Sequence, residues 1–145
     1  MDSQKIGIVL GLLVGLFCLR VIAQLAVYTV DISFLPPFEA WHSGTMPYGL
    51  LVFFQAGILL FLTRTALRFL HKQVVTSQRT GVFILIIGSV YFFTMALRMT
   101  LGLTVYTESR WFSNYLSTAF HYVLALYLIL VGWYHHKMAK LKSVN

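Results

Sequence analysis

Charge is what this sequence has least of: 10% of its 145 residues are Asp, Glu, Lys or Arg, against roughly a quarter in a soluble globular domain. That deficit excludes an ordinary soluble fold. Cysteine is nearly missing as well, and the single Cys18 lies inside an apolar run, so neither an intramolecular disulfide nor a cysteine metal site can form. No internal repeat and no low-complexity segment is visible, which sets aside arrays and disordered tails. What remains is 59% hydrophobic and 16% aromatic, with a mean hydropathy of +0.79. The formal charge of +7 does not indicate nucleic acid, because a basic chain this apolar carries its cations at the cytoplasmic ends of membrane spans. A membrane protein without a separate soluble catalytic unit is expected.

A helix needs about 20 apolar residues to cross about 30 Å of hydrocarbon. Four runs fit, at about Ile6–Tyr28, Tyr48–Phe69, Gly81–Tyr106 and Phe112–Tyr134. The first is too long for a signal peptide and no A-x-A-like site follows it, so it reads as a retained span. Lys5, Arg64, Arg68, Lys72, Arg79, Lys137, Lys140 and Lys142 fall at one end of the spans, and Arg110 alone at the other. By the positive-inside rule both termini are cytoplasmic. The expected fold is therefore all-α, an antiparallel four-helix transmembrane bundle forming a single domain over residues 1–145.

The first outer connection, TVDISFLPPFEAWHSGTMP, is too apolar to float in water. Pro36 and Pro37 block regular hydrogen bonding, after which Phe38 to Ser43 can form a short amphipathic helix, a lid with Trp41 anchored at headgroup level. Tyr28, Tyr48, Tyr106 and Trp111 mark the same interface, while Trp133 and Tyr134 mark the inner one. His135 and His136 read as interface residues among lysines. Gly7, Gly11 and Gly15 form a small-residue ladder that admits close helix approach, within the monomer or against an oligomeric or complex partner.

The informative residues are those a bilayer should exclude. Counting at about 1.5 Å per residue from the outer aromatic markers, Arg20 and Arg98 lie about 12 Å deep, Gln55 about 11 Å and His121 about 14 Å. Gln24 is one turn from Arg20 on the same face. On the fourth span Asn114, Ser117, Thr118, His121 and Ala125 share a face, and on the third Tyr91, Thr94, Met95, Arg98 and Gly102 do the same. One inward-facing polar layer is expected in the outer half of the membrane, since a charge in hydrocarbon costs about 2.5 kcal/mol or more.

Two arginines occupy that layer with no Asp or Glu inside any span, and arginine does not deprotonate. The counter-charge must come from Glu39 or Asp31 in the first connection, from Glu108 in the second, or from a guest carboxylate or phosphate, which guanidinium forks bind bidentately. Snorkelling or internal pairing would instead leave the arginines as a structural lock. Gln24 and Gln55 read as helix-to-helix hydrogen bonds.

Other chemistries fit less well. A b-type haem needs two facing axial ligands and only His121 is inside a span, so no cofactor is expected. His42, Glu39 and His121 are zinc-type ligands, yet no HExxH-like spacing fixes them, and no metal is expected either. His121 and Glu39 are candidates for acid-base catalysis on a lipid-like substrate, with Arg20 and Arg98 holding an acidic head or oxyanion. Two fixed cations argue against cation conduction.

The four-span layout, the Pro36, Pro37 and Trp41 stretch and the glutamine within span two together resemble the EXPERA-type sterol isomerase and sigma-2 receptor fold. That resemblance implies a four-helix membrane bundle with an internal site. The family binds cationic ligands through intramembrane acids, whereas this chain carries arginines, so no catalytic residue carries over. The strings PPFEAWHSG and RWFSNYLSTAFH also resemble small uncharacterised bacterial membrane proteins, which implies an inner-membrane location. The expected work is binding an acidic amphiphile through Arg20, Gln24, Gln55, Arg98, His121, Glu39 and Trp41. A small lipid-modifying enzyme and an accessory subunit of a membrane complex are the alternatives.

Overall fold

The computed structural model describes residues 2–30, 32–42, 44, 46–109 and 111–144. Asp31, Ser43 and Arg110, invoked above for counter-charge, lid and orientation, lie outside the described residues. Five helices follow one another: α1 (Ser3–Thr29), α2 (Phe38–Trp41), α3 (Tyr48–Leu70), α4 (Gln78–Thr104) and α5 (Tyr115–Val144). No strand occurs among the described residues. Four of the helices are long and apolar enough to cross a membrane, and the chain is a membrane protein built as a helical bundle.

Local chemistry sets the boundaries. The Asp2 carboxylate accepts from the Gln4 backbone N–H at 3.0 Å and starts α1. Asn114 does the same for α5, its Oδ1 accepting from the Ser117 N–H at 2.9 Å. Beyond Tyr134, where the apolar run ends, α5 continues to Val144. Residues 137–142 are good helix formers with neither Gly nor Pro among them, so nothing stops the helix where hydrophobicity does. At the end of α3, Lys72 turns the chain out with φ 57° while the Gln73 N–H bonds back to the Arg68 carbonyl at 2.9 Å.

The surface is apolar and the interior partly polar. Leu12, Leu19, Phe53, Leu60, Phe83 and Phe93 are exposed, while Arg20, Gln24, Gln55, Arg98, Ser117 and Thr118 are buried. This reversal of the soluble pattern is what hydrocarbon as solvent requires. The polar faces expected on the third and fourth spans turn inward, except at Thr94. That residue is exposed and satisfies its hydroxyl on the Val90 carbonyl one turn back, which lets it face lipid.

Backbone contacts join α1 to α3, α4 to α5 and α1 to α5, and α2 rests on α1 and α5. A compact core of Leu10, Leu62, Ala66, Phe69, Tyr127, Val131 and Tyr134 fills the end remote from α2. There the Tyr127 hydroxyl donates to the Leu62 carbonyl at 2.7 Å, and Phe69 meets Tyr134 at a centroid distance of 4.9 Å. Tyr134 therefore belongs to the core, its ring drawn against Phe69. His135 and His136 are likewise half-buried and not free among the lysines, since the α5 backbone at His136 packs on Gly81.

Glycines permit the closest approaches. A Cβ on Gly7 would meet the Leu70 backbone nitrogen at 2.7 Å, so the first rung of the ladder serves α1 against α3. Gly11 and Gly15 have nothing within 4 Å. Gly102 faces the Phe112 carbonyl oxygen, which lets the connection after α4 fold down over that helix. Gly102→Ala should cost about 1–3 kcal/mol through overpacking against backbone, whereas Gly15→Ala should stay within about 0.5 kcal/mol. Thermal unfolding of both variants in mild detergent checks the contrast.

Candidate functional site

At the α2 end the helices diverge around a cavity of about 330 Å³. Arg20 and Phe17 of α1, Trp41 of α2, Gln55 of α3, Arg98 and Tyr91 of α4, and Phe120 and His121 of α5 all line it. Elements distant in sequence thus bring five of the expected residues, Arg20, Trp41, Gln55, Arg98 and His121, to one space. Met46, Met95 and Trp111 add to its walls.

Both arginines are buried, at 7% and 5% exposure, and the described residues place no carboxylate on either. Arg20 Nη2 donates to the Trp41 carbonyl at 3.2 Å. Arg98 donates twice to the Trp111 carbonyl, from Nε at 3.0 Å and from Nη2 at 2.5 Å. Aromatic faces supply the rest of the solvation: Arg98 Cζ stands 4.4 Å from the Trp111 ring centroid and Arg20 Cζ 5.6 Å from that of Phe120. Carbonyls and π faces carry only partial negative charge, so both guanidiniums keep their formal charge beside the cavity. Arg20 Nε has no hydrogen-bond partner among the described residues.

The lid differs from the expectation in where its tryptophan goes. Trp41 is 6% exposed; its indole donates to the Pro36 carbonyl at 2.9 Å, and its ring stacks on Phe120 at 6.5 Å. The Pro36-Pro37 bend supplies that acceptor inside the lid itself, so the indole need not reach the headgroups for one. Asn114 Nδ2 also donates to the Glu39 carbonyl at 3.3 Å, tying α2 to the start of α5.

Glu39 stands apart from the expected set. Its side chain is exposed and borders a separate depression with Pro36, Ser113 and Tyr115, because the turn of α2 that directs Trp41 inward directs Glu39 outward. Glu108 is exposed too. Gln24 is fully buried, but as a partner for Gln55, whose Nε2 donates to Gln24 Oε1 at 3.2 Å between α1 and α3. His42 rests against Phe38 at 5.2 Å and is absent from the cavity walls. Among the described residues no group of three His, Cys, Asp or Glu side chains is placed to hold a metal ion.

Two features escaped the sequence reading. The Tyr91 hydroxyl and His121 Nδ1 share a hydrogen bond of 2.5 Å between α4 and α5. The tyrosine was visible only as a member of a helical stripe; its i, i+7 spacing to Arg98 was the available signal. Trp111 read as an interface marker, while its backbone carbonyl holds Arg98, a role that no side-chain pattern encodes.

Comparison with known protein-family models, curated proteins and solved structures finds no match for this chain. The Gln24–Gln55 bond should show a coupling of about 0.5–1.5 kcal/mol in a double-mutant cycle of Gln24→Leu and Gln55→Leu. Unfolding free energies in detergent of the two single variants and the double measure it.

Proposed function

We propose that this protein binds the acidic head of an amphiphile in the cavity between Arg20 and Arg98. The observation that carries the reading is the pair of permanent cations on one small cavity with no carboxylate on them among the described residues. A carboxylate or phosphate guest would supply the missing full charge, and the arginine donors not committed to loop carbonyls would bind it. Gln55, His121 and Trp41 add polar and aromatic wall to the same space. Glu39, exposed on the far side of α2, is outside this site in the conformation described.

The bundle is read as antiparallel, supported by pairings such as Gly81 with His136 and Gly102 with the backbone at Phe112. The clustering of Lys and Arg at the end remote from α2 supports cytoplasmic termini. A bacterial inner membrane is the setting that the sequence resemblance favours. The cavity then belongs to the outer-leaflet half.

The Tyr91–His121 hydrogen bond favours a second reading, acid-base chemistry on the bound amphiphile. With the phenol donating to Nδ1, the imidazole proton sits on Nε2; as that proton passes to a substrate held by the arginines, the Tyr91 hydroxyl proton moves onto Nδ1, so the imidazole stays neutral and the negative charge is left on the Tyr91 oxygen. An accessory-subunit role is supported by Gly11 and Gly15, where a Cβ would meet no atom of the described residues within 4 Å.

Native mass spectrometry of protein released from mild detergent tests the binding reading. A stoichiometric acidic amphiphile should be present and should be lost in Arg20→Gln and Arg98→Gln while the helical content measured by circular dichroism is retained. His121→Phe should keep that ligand under the binding reading. Under the enzymatic reading it should also stop turnover and leave the substrate unconverted. Unchanged ligand content in both arginine variants sinks the proposal.

A further inference from the structure

Helix α4 packs its backbone on α5 and approaches no other helix among the described residues. Along α3 this leaves an open cleft of about 660 Å³, floored by Leu124 and Leu128 of α5 and bordered on the α4 side by Tyr91. Its walls are apolar throughout, apart from the Tyr91 hydroxyl, which is already engaged with His121. Cleft and cationic cavity share Phe54, Ile58, Tyr91 and Leu124 as walls, so the two adjoin along these side chains.

The two ends differ in depth. The cavity draws on α3 from Leu51 to Ile58, and the cleft continues along α3 to Leu62. On α5 the lining passes from Ser117 in the cavity to Leu128 in the cleft. Taken together, the lining of cavity and cleft runs about 16 Å along α3 from Leu51 to Leu62, close to half of the about 30 Å hydrocarbon thickness. It is polar and cationic near the α2 end and apolar toward the bilayer middle, the same polarity gradient as one leaflet.

We infer that the cleft along α3 is a side entrance and chain slot, through which a single-chain anionic amphiphile slides from the leaflet with its alkyl chain along Gly57 and its head between the arginines. This rests on the binding reading above and adds to it the ligand's form, orientation and route. Charge complementarity fixes which end leads, and the shared walls allow the guest to stay in contact with lipid while its head is enclosed. Gly57 lines the cleft with nothing within 4 Å of a Cβ built on it. The space there is open to a guest and is not spent on helix packing.

The test uses two probes on the full chain in nanodiscs: dodecyl phosphate carrying a photoreactive diazirine at its chain end, and butyl phosphate. Irradiation should label residues 53–62 and 124–128. Gly57→Trp should weaken dodecyl phosphate binding by about tenfold or more and leave butyl phosphate binding unchanged. Leu128→Trp, filling the slot from its floor, should act in the same way and guards against a folding defect in the first variant. Arg98→Gln should weaken both probes. Labelling confined to other helix faces, or slot variants that bind dodecyl phosphate normally while Arg98→Gln still weakens both probes, would overturn the slot and leave the anion site standing. Binding of both probes indifferent to Arg98→Gln and Arg20→Gln, or no binding by the unsubstituted protein, would overturn the two together.

Discussion

Two guanidiniums that cannot lose their charge are held inside an apolar bundle with no carboxylate on them among the described residues, and the loop end of the molecule is arranged around them. The solution adopted is partial charge in place of full charge. Trp41 and Trp111 each turn a backbone carbonyl toward an arginine, and the rings of Trp111 and Phe120 cover the guanidinium faces. This draws both connecting loops down into the bundle. Gly102 matters for the same reason, since a side chain there would hold the Phe112 backbone, and with it the Trp111 carbonyl, away from α4.

The two ends of the bundle answer to different demands. Remote from α2, bulky side chains of α1, α3 and α5 close into a continuous core. Toward α2, buried polar groups must be solvated individually, and the packing opens into the cavity and cleft. A protein interior normally leaves few voids larger than a water molecule. The cavity of about 330 Å³ sits where the sequence places its arginines.

Much of the architecture was legible because hydrocarbon imposes simple rules. Runs of apolar residues located all four long helices, and helical spacing identified the inward faces of Arg20, Arg98 and the stripe from Asn114 to Ala125. The exceptions have local causes. Helix α5 overran its apolar run because helix propensity outlasted hydrophobicity. Thr94 escaped the inward stripe by bonding its own backbone. Tyr134 and Trp41, read as interfacial, are buried because each found partners inside, Phe69 in one case and the Pro36 carbonyl with Phe120 in the other. Glu39 was offered as a counter-charge on composition alone, and the direction in which a single turn of helix presents its side chains could not be taken from composition. The carbonyl partners of the arginines were the least legible feature, since every residue has a carbonyl and only the fold selects which one is used.

Each arginine finds its carbonyl within its own helical hairpin. Arg20 and Trp41 are 21 residues apart, both before α3 begins, and Arg98 and Trp111 are 13 apart across the α4–α5 turn. Both bonds are short in sequence, although α2, which carries the Trp41 carbonyl, also rests on α5. Each cation therefore has its carbonyl acceptor supplied from a nearby stretch of its own chain, a loop length of a few turns and no more. What the packing of the two hairpins adds is the proximity of the charges, since Arg20 and Arg98 come to line one cavity only when α1 and α4 are brought together by α5.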